Sequence, residues 1–584
     1  MKLIVDNIDT QIVYEEADKH LKPVIDKELH VGIGIKDEDA KYSRLYRNGI
    51  WDGIVKFYDE ENSRFPSGLV DQVDTILGHL QNKFPFQYTI IDDRPDVFLT
   101  LEDVDEEIVL DDEEVGTITL RDYQYESVKS AVEDQVGIVN VATNGGKTEI
   151  ASGFIQQIRP YLERGETIAF FTSSTAIFNQ SAVRLSERLG GLPIGKYGGG
   201  KKDIKQVNVV MIPTISTALK VDPEANLKFS PKEMIIKKLA KLSPQFQKGV
   251  NQKRMLEAYL RNFKVITQAD SKYAMEIQMI LDTCGTDSQV KMKLRNYEAE
   301  YQKLIEKKNG DVLKKYNEAK EFLESVAVMI VDEAHHTSSD TWYTSLRMCT
   351  NARYRLALTG SIDKRNKVLW QRMQAVFHDT VIKTSNEELI NLGHSAKPTI
   401  TMVPIGAPRG IEGKKDYQEV YRLGIVENEY RNSIITGVTA KKYREGKGVL
   451  VIVNYVEHGE MLSEQLDKMQ VDHFFLHGEL PVEEREEKLQ DMREGRLKVL
   501  IATSLVDEGV DISGIDALVL GAGGKSMRQV LQRVGRALRK KKQGENVTHI
   551  YDFDDRTHEY LRKHTKERRN IYLAENFDVV DLNV

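Results

Sequence analysis

Two features are scarce in this chain: cysteine, and apolar runs long enough to cross a bilayer. Only Cys284 and Cys349 are present among 584 residues, which is too few for a disulfide framework or a four-cysteine zinc site and fits a reducing cytoplasm. No apolar run reaches the roughly 20 residues that a membrane-spanning helix needs. Acidic residues at Asp6 and Asp9 come too early for a secretory signal. We therefore expect a cytoplasmic protein with no membrane partner.

Positive charge is not in excess either. The formal net charge is -8, which excludes a uniformly basic nucleic-acid binder, so any nucleic-acid track must be locally basic. Residues 102–114 contain Asp and Glu but no Lys or Arg. We expect this run, within residues 101–117, to be a solvated linker that phosphates avoid. A segment that mimics DNA is the alternative interpretation.

The first chemical motif is V-A-T-N-G-G-K-T at residues 141–148, between an apolar run and a helical pattern. A glycine-rich turn from strand to helix presents backbone N–H groups and the positive end of a helix dipole to phosphate. Val141 stands where the full pattern has glycine, and an ordinary glycine turn is the alternative. Lys147 is expected to reach the β and γ phosphates of ATP, and Thr148 to ligate Mg²⁺. The predicted nucleotide contacts are Thr143, Asn144, Gly145, Gly146, Lys147 and Thr148.

The second motif is an acidic pair, Asp332 and Glu333, directly after the apolar run at residues 326–331. Such a run predicts a buried parallel strand, whose carboxyl end lies at the same sheet edge as the glycine-rich turn. We expect Asp332 to hold Mg²⁺ together with Thr148, and Glu333 to orient or deprotonate the attacking water. An acidic helix N-cap is the alternative.

The third motif is Q-R-V-G-R-A-L-R at residues 532–539, on a helical pattern. Arg536 and Arg539 are three positions apart and so share a helix face. Two guanidinium groups on one face can meet the charge that develops on a transferred phosphoryl group. Gln532 joins them as a catalytic candidate. A solvated basic helix is the alternative.

In this order, the three motifs resemble helicase superfamily 2, whose members are ATP-driven motors on nucleic acid. Further strings that carry the resemblance are L-R-D-Y-Q at 120–124, F-T-S-S-T at 171–175, P-T-I-S-T at 213–217 and A-T-S-L-V-D-E-G-V-D-I at 502–512. The coupling motif, usually T-A-T or S-A-T, departs to T-G-S at 359–361. The resemblance implies nucleotide contacts by Gln124, Gly509 and Asp511, and nucleic-acid contacts by Ser173, Ser174, Thr214 and Thr503.

A narrower resemblance lies near the start of the chain. N-G-I-W-D-G-I-V-K-F-Y-D at 48–59 and P-S-G-L-V-D-Q-V at 66–73 are similar to the amino-terminal domain of the UvsW-type phage recombination helicases. The resemblance implies help in binding duplex or branched DNA, and the host cytoplasm as the location if the chain is phage-encoded. Arg47 and Trp51 are the expected contacts, to phosphate and base respectively. Core packing of Trp51 is the alternative.

The alternation of strands and helices predicts an α/β protein with parallel sheets. Together with the resemblance, this predicts two tandem RecA-like motor domains, a small α+β amino-terminal domain and a helical insertion. The lysine-rich insertion either follows a DNA backbone or forms a solvated bundle. The expected divisions are 1–100 (front domain), 101–117 (acidic linker), 118–388 (first RecA-like domain, with the insertion at about 220–325) and 389–584 (second RecA-like domain).

The function expected from these features is that of an ATP-dependent DNA helicase or translocase on branched recombination or replication intermediates. It would use ATP and Mg²⁺, act as a monomer, and bind branched, duplex or single-stranded DNA. An RNA helicase and a duplex translocase that remodels without unwinding remain open. Because Val141 and Asn144 depart from the usual motif, a DNA-annealing scaffold with a vestigial ATPase also remains open, as does the motor subunit of a restriction system.

Overall fold

The structure is a computed structural model. It describes residues 1–582 except 39, 221–226, 228, 247–250, 266, 361, 363, 407, 409, 504–514, 525–533 and 536–545. The chain divides into two compact units, one made of Met1–Pro213 with Glu324–Val584 and the other of Thr214–Leu323. Each unit has its own buried core.

The front domain packs two helices on a four-stranded sheet of order β5-β2-β1-β6. Apolar residues at helical spacing, Ile25 and Leu29 on one helix and Val73 and Leu77 on the other, form its core with the sheet. The elements are β1 (Lys2–Val5), β2 (Asp9–Val13), α1 (Lys22–Gly32), β3 (Ile35–Lys36), α2 (Arg44–Arg47), β4 (Ile54–Val55), β5 (Arg64–Pro66), α3 (Val70–Gln81) and β6 (Thr89–Asp92).

The second half of the acidic run belongs to a β-hairpin, so residues 101–117 are not simply the solvated linker that we predicted. Its strands β7 (Val109–Asp112) and β8 (Gly116–Thr119) pair antiparallel. Ile108 and Leu110 are each 1% exposed and belong to the core of the first RecA-like domain. Ile108 and Leu110 are two positions apart, so the strand period of two buries both on one face, while Val109 and Asp111 are exposed on the other.

The first half of the first RecA-like domain alternates strands and helices. Helix α5 begins where the glycine-rich loop ends, and Ser174 caps α6 by accepting the N–H of Ile177. The elements are α4 (Asp122–Asp134), β9 (Val136–Val141), α5 (Lys147–Ile158), β10 (Thr167–Thr172), α6 (Thr175–Arg188), β11 (Gly195–Gly198), β12 (Lys201–Asp203), β13 (Val207–Met211) and α7 (Ile212–Leu219).

The unit Thr214–Leu323 is helical. Capping boxes start two of its helices, one from Ser230 to Glu233 and one from Thr267 to Asp270. Its core gathers Leu239, Leu256, Ile277, Ile280 and Leu294. After α7 its helices are α8 (Pro231–Leu242), α9 (Gln252–Asn262), α10 (Gln268–Thr283) and α11 (Asp287–Glu324).

The chain then completes the first RecA-like domain with β14 (Val326–Val331), α12 (Asp340–Leu346), β15 (Tyr354–Thr359), α13 (Lys367–Phe377), β16 (Thr380–Thr384) and α14 (Asn386–Asn391). The sheet order is β12-β11-β13-β10-β14-β15-β9-β16. All its neighbours are parallel except β11 and β12. Strand β15 therefore separates β9, which precedes the glycine-rich loop, from β14, which precedes the acidic pair.

The second RecA-like domain is a parallel sheet of order β19-β20-β18-β21-β22-β17-β23. Buried ion pairs Arg431–Asp555 and Arg568–Asp552 lie in its interior. Its elements are β17 (Lys397–Ile405), α15 (Tyr417–Tyr421), α16 (Glu429–Arg444), β18 (Val449–Ile452), α17 (Val456–Lys468), β19 (Phe474–Leu476), α18 (Val482–Arg493), β20 (Val499–Ala502), β21 (Ala517–Leu520), β22 (Val547–Asp555), α19 (Glu559–Ala574) and β23 (Asp578–Asp581).

Together these sheets make a mixed α/β fold with two RecA-like domains, as predicted. In the part of the chain that the structure describes, no helix combines the length and apolarity that crossing a membrane requires.

Candidate ATP site and nucleic-acid interface

The glycine-rich loop between β9 and α5 contains two residues in the left-handed region, Asn144 (φ 72°) and Gly146 (φ 76°). Asparagine is one of the few non-glycine residues that adopt this conformation, so position 144 keeps the loop geometry without glycine. Lys147 is the first residue of α5. The first turn of α5 thus places its N–H groups at the loop, as phosphate binding requires.

Val141, the departure from the usual motif, points into the core beneath this loop. It is completely buried and belongs to the core of the first RecA-like domain. A Cβ atom at Gly145 would lie 2.2 Å from Val141 Cγ1. Glycine at position 145 therefore makes room for the extra side chain at position 141.

The acidic pair meets the loop through an ion pair. Lys147 Nζ donates to Glu333 Oε1 at 3.1 Å, and His335 Nδ1 lies 3.3 Å from Glu333 Oε2. Glu333 has a φ of 48°, a sparsely populated conformation that costs of order 1–3 kcal/mol and occurs often at active sites. Glu333 is therefore held between a lysine and a histidine.

Burial and neighbouring charges give the two carboxyl groups different pKa values. Burial and the neighbouring Glu333 carboxylate raise the pKa of Asp332 to about 6. Burial alone would also raise the pKa of Glu333, but Lys147 and His335 together outweigh it and hold that pKa below its usual value. Two acids with divided roles are typical of catalytic sites. A bound cation beside Asp332 would offset the unfavourable burial of its charged form.

The donor atoms near the loop fit Mg²⁺. Asp332 offers carboxylate oxygens and Thr148, in the first turn of α5, a hydroxyl oxygen, and Mg²⁺ prefers hard oxygen ligands. Among the residues with described positions, no cluster of three or more His, Cys, Asp or Glu side chains is arranged for a metal. A site with a single carboxylate is consistent with Mg²⁺, because proteins often bind this ion largely through substrate phosphates and water.

The altered coupling motif lies directly beside the loop. Gly360 follows β15, the strand between β9 and β14. A Cβ atom built on Gly360 would lie 3.4 Å from both Lys147 Nζ and Thr143 Oγ1. Position 360 thus packs against the glycine-rich loop.

The second RecA-like domain reaches the loop at Gly535. Asn144 Nδ2 donates to the Gly535 carbonyl at 2.6 Å, and a Cβ at Gly535 would lie 2.6 Å from Thr143 Cβ. The third motif therefore borders the nucleotide loop. Its predicted catalytic residues Gln532, Arg536 and Arg539 lie outside the described residues, as do Gly509 and Asp511.

Gln124 is tied to the loop backbone. Its Nε2 donates to the Gly145 carbonyl at 3.0 Å, and its Oε1 accepts the Arg121 N–H at 2.9 Å. Tyr123, which our sequence analysis missed, donates its hydroxyl to the same Gly145 carbonyl at 2.9 Å. The only sequence signal for Tyr123 is that it precedes Gln124. Nucleotide recognition by Gln124 stays a prediction.

The four predicted nucleic-acid contacts of the RecA-like domains lie in different environments. Ser173 Oγ is buried and has no hydrogen-bond partner among the described atoms, whereas Ser174 caps α6. Thr214 lies in the first turn of α7, and Thr503 is buried just after β20. These assignments stay predictions.

In the front domain, Arg47 is exposed on α2. Trp51 is half-buried, donates its indole N–H to the Ile54 carbonyl at 2.9 Å and packs edge-on against Tyr46. Those contacts agree with the packing alternative for Trp51. A base contact by Trp51 would have to use the remaining exposed part of its ring.

Two family profiles match this chain. Residues 117–364 match the family described as "Type III restriction enzyme, res subunit", and residues 431–541 match "Helicase conserved C-terminal domain". One match falls in each RecA-like domain, and together they include the glycine-rich loop, the acidic pair and the third motif.

Individual relatives are helicases. The ATP-dependent rRNA helicase RRP3 of Encephalitozoon cuniculi is 30% identical over 151 residues, which cover 25% of this chain and 37% of RRP3. The ATP-dependent DNA helicase UvsW of Enterobacteria phage T4 is 22% identical over 284 residues, which cover 45% of this chain and 55% of UvsW. The crystal structure of T4 UvsW aligns with 100% of this chain and 99% of its own, with 18% identity and a TM-score of 0.38.

These sequence matches thus span only about a third to about half of each relative. Taken with the motifs and the two family profiles, they show that the chain resembles the helicases of superfamily 2, UvsW among them.

Proposed function

We propose that this protein is an ATP-dependent DNA helicase or translocase that acts on branched recombination or replication intermediates. One observation supports it above all: residues of both RecA-like domains meet at one loop, where Lys147 contacts Glu333 and Asn144 contacts Gly535. ATP bound at such a junction would couple its hydrolysis to relative movement of the two domains.

The chain's own residues suit ATP hydrolysis. Arriving phosphates would compete with Glu333 for Lys147, which would release Glu333 to orient or deprotonate a water molecule. His335, 3.3 Å from the Glu333 carboxylate, would hold that carboxylate in place. Bound Mg²⁺, held by Asp332 and Thr148, would neutralise phosphate charge. Arg536 and Arg539 would supply positive charge from the second domain.

An exposed patch in the front domain suits a nucleic-acid contact. Tyr42 is 71% exposed and Ile50 is 72% exposed, and the Lys41 ammonium lies 5.1 Å from the Tyr42 ring centre. Arg44 and Arg47 are exposed on the intervening helix α2. Basic groups that bind phosphate beside rings that stack on bases are the usual means of binding nucleic-acid strands.

DNA, and branched DNA in particular, is proposed because the amino-terminal strings are similar to those of UvsW-type helicases and because UvsW is described as a DNA helicase. An RNA helicase is the second candidate, because RRP3, described as an rRNA helicase, matches part of this chain. The nucleic acid that stimulates ATP hydrolysis distinguishes the two.

The test is the ATPase rate of the full chain with single-stranded, duplex, forked and four-way DNA, with RNA–DNA hybrid and with single-stranded RNA. Glu333→Gln should abolish hydrolysis, whereas Glu126→Gln, an exposed glutamate on α4, should not. The pair Arg44→Ala and Arg47→Ala should reduce stimulation by forks more than by single strands, because a second tethered contact helps only where the DNA offers a second arm. The charge-matched control is Lys27→Ala with Lys83→Ala. Stimulation by RNA alone would overturn the DNA assignment, and no stimulation would indicate a scaffold.

A further inference from the structure

A partly enclosed cavity lies where the front domain meets the first RecA-like domain. Its volume is about 140 Å³, and most of its wall is apolar. Its polar residues are Ser67, Asp92 at the end of β6, Arg94 after it, Arg355 on β15 and His378 after α13. A single water needs only about 10–15 Å³ measured in this way. The cavity therefore has room for a small ion with some of its water.

Arg355 is the unusual member of this lining. It is 2% exposed, and its Nε and Nη1 atoms are buried without a hydrogen-bond partner in the described structure. No carboxylate among the described residues forms an ion pair with it. Burial, and then the neighbouring charge of Arg94, lower the pKa of Arg355 to about 9, so the side chain still carries its charge at neutral pH. A buried charge without a partner is costly.

The carboxylates around the cavity are engaged elsewhere. Asp92 accepts hydrogen bonds from Nε and Nη2 of Arg94, at 2.8 and 2.5 Å. This ion pair is neutral overall. Asp6 accepts the N–H of Asn7 at 2.7 Å. Among the described residues, neither carboxylate therefore forms a direct ion pair with Arg355.

On the other side, Asp71 is 3.8 Å from His378 and its side chain is 85% exposed. Burial lowers the pKa of His378, and Asp71 only partly opposes this. A neutral imidazole can still donate one hydrogen bond to a bound anion.

Close contacts between the two domains fix the walls. A Cβ at Gly68 would lie 2.0 Å from the Gln374 carbonyl oxygen, so only glycine allows this approach. Gln371 Nε2 donates to Gln72 Oε1 at 2.9 Å, and Arg347 forms an ion pair with Asp9. The cavity is therefore a built feature of the interface between the domains.

We propose that this cavity binds a small oxyanion, inorganic phosphate or sulfate, through the unpartnered guanidinium N–H groups of Arg355, and that the bound ion holds the front domain on the first RecA-like domain. Guanidinium groups present paired donors that match the geometry of tetrahedral oxyanions. Because Arg355 is 2% exposed, the ligand is a free ion and not a phosphate of a DNA strand.

The test is thermal unfolding of the full chain in chloride and in phosphate or sulfate at equal ionic strength. The Lys147→Ala background removes the contribution of the ATP loop, which also attracts phosphate. In that background, Arg355→Met should abolish the rise in Tm that phosphate causes. The control is Arg353→Met, which removes a neighbouring arginine that pairs with Glu166 outside the cavity; it should keep the full rise.

The chloride measurement separates ligand binding from a structural role. In chloride, adding Arg355→Met to the Lys147→Ala background should leave the Tm unchanged or raise it, because the substitution removes an unpartnered buried cation. In phosphate, the background without Arg355→Met should have the higher Tm. An Arg355→Met protein that is equally destabilised in both salts would overturn the proposal. So would an equal phosphate response in Arg355→Met and Arg353→Met.

Direct binding gives a second measurement. Equilibrium dialysis with radiolabelled phosphate should show binding by Lys147→Ala that falls about tenfold or more when Arg355→Met is added, the loss expected for a charge-assisted hydrogen bond. If the double variant does not fold, tungstate in crystals of the unaltered protein should give an anomalous peak in the cavity, and its absence there overturns the proposal. A single-stranded oligonucleotide should stabilise Arg355→Met and Arg353→Met equally; a difference would mean that DNA phosphate reaches Arg355 and would overturn the assignment to a free ion.

Discussion

The side-chain amide of Asn144 donates a hydrogen bond of 2.6 Å to the backbone carbonyl of Gly535. The nucleotide loop of the first RecA-like domain thus contacts the second domain through the residue that departs from the usual glycine. An asparagine here serves two purposes, because it adopts a φ of 72° and supplies a donor that glycine lacks.

Three substitutions at Asn144 should separate these purposes. Asn144→Gly loses the hydrogen bond, worth about 0.5–1.5 kcal/mol. Asn144→Ala loses the hydrogen bond too and adds about 1–2 kcal/mol of left-handed backbone strain. Its Tm should therefore be lower than that of Asn144→Gly. Asn144→Asp keeps the shape but has no donor, and should resemble Asn144→Gly or be less stable. Calorimetric unfolding measures the order. Equal Tm values for the glycine and alanine variants would show that the backbone conformation carries no cost.

The sequence predicted the strands around this site well, because buried parallel strands such as β9 and β14 are short continuous apolar runs that end in recognisable motifs. It could not predict the Asn144–Gly535 contact, since residues 391 positions apart meet only through the tertiary arrangement. The hairpin of β7 and β8 was missed because its acids obscured the alternation that buries Leu110. Arg355 was missed because a lone arginine in an apolar strand carries no motif.

The Lys147–Glu333 ion pair predicts opposite effects of two substitutions. Lys147→Ala should weaken ATP binding, because it removes the charge that reaches the phosphates. Glu333→Gln should keep or tighten ATP binding, because Lys147 no longer has a competing carboxylate, and should stop turnover. Titration with a fluorescent ATP analogue and a phosphate-release assay measure the two effects. Unchanged turnover in Glu333→Gln would remove Glu333 from the catalytic role, and Glu126→Gln serves as the matched control.

The raised pKa of Asp332 predicts how the site responds to pH. Its pKa is about 6 in the folded protein against an ordinary value of 3.8, so between these values the folded state binds more protons than the unfolded state. The stability that this group contributes is therefore greatest at the acidic end and is lost as pH rises through about 6. Mg²⁺ needs the ionised form, so Mg²⁺ affinity should fall on acidification through the same range.

Asp332→Asn should remove both effects, and Asp467→Asn, whose carboxylate is 75% exposed, should remove neither. Unfolding in a chelator over a pH series gives the stability, and calorimetric titration with Mg²⁺ and a non-hydrolysable ATP analogue gives the affinity. Glu333→Gln should shift the pH midpoint downward, because it removes the like charge that helps to raise the pKa of Asp332. A Mg²⁺ affinity that is flat across this range would argue against Asp332 as a ligand.

The space around Gly360 limits the size of the side chain that can stand beside the loop. A Cβ there would make ordinary contacts of 3.4 Å with Lys147 and Thr143, so Gly360→Ala should be tolerated and should keep ATP affinity. Gly360→Val should push against the loop and raise the KM for ATP. The comparison of KM and kcat for the two variants tests this. An inactive alanine variant would show that this chain needs glycine for movement and not for space.

Two buried arginines of the second domain hold both a carboxylate and a backbone carbonyl. Arg568 Nε donates to Asp552 at 2.8 Å, and its Nη1 donates to the Gly524 carbonyl at 2.8 Å. Arg431 makes the equivalent pair of contacts with Asp555 and the Gly521 carbonyl. Both arginines therefore brace the segment after β21 that leads toward the third motif.

Arg568→Met should be strongly destabilising, by about 3–5 kcal/mol, because it leaves the Asp552 carboxylate buried without a counter-charge. Adding Asp552→Leu should recover most of that loss, since replacing a whole buried pair by apolar groups is often neutral. The double variant should nevertheless hydrolyse ATP slowly, because no side chain then holds the Gly524 carbonyl and the segment before the third motif loses its support. Urea unfolding and kcat measured on the same proteins separate the two effects. Recovery of both stability and kcat would show that Arg568 only balances charge, whereas recovery of stability alone identifies it as a positioning residue.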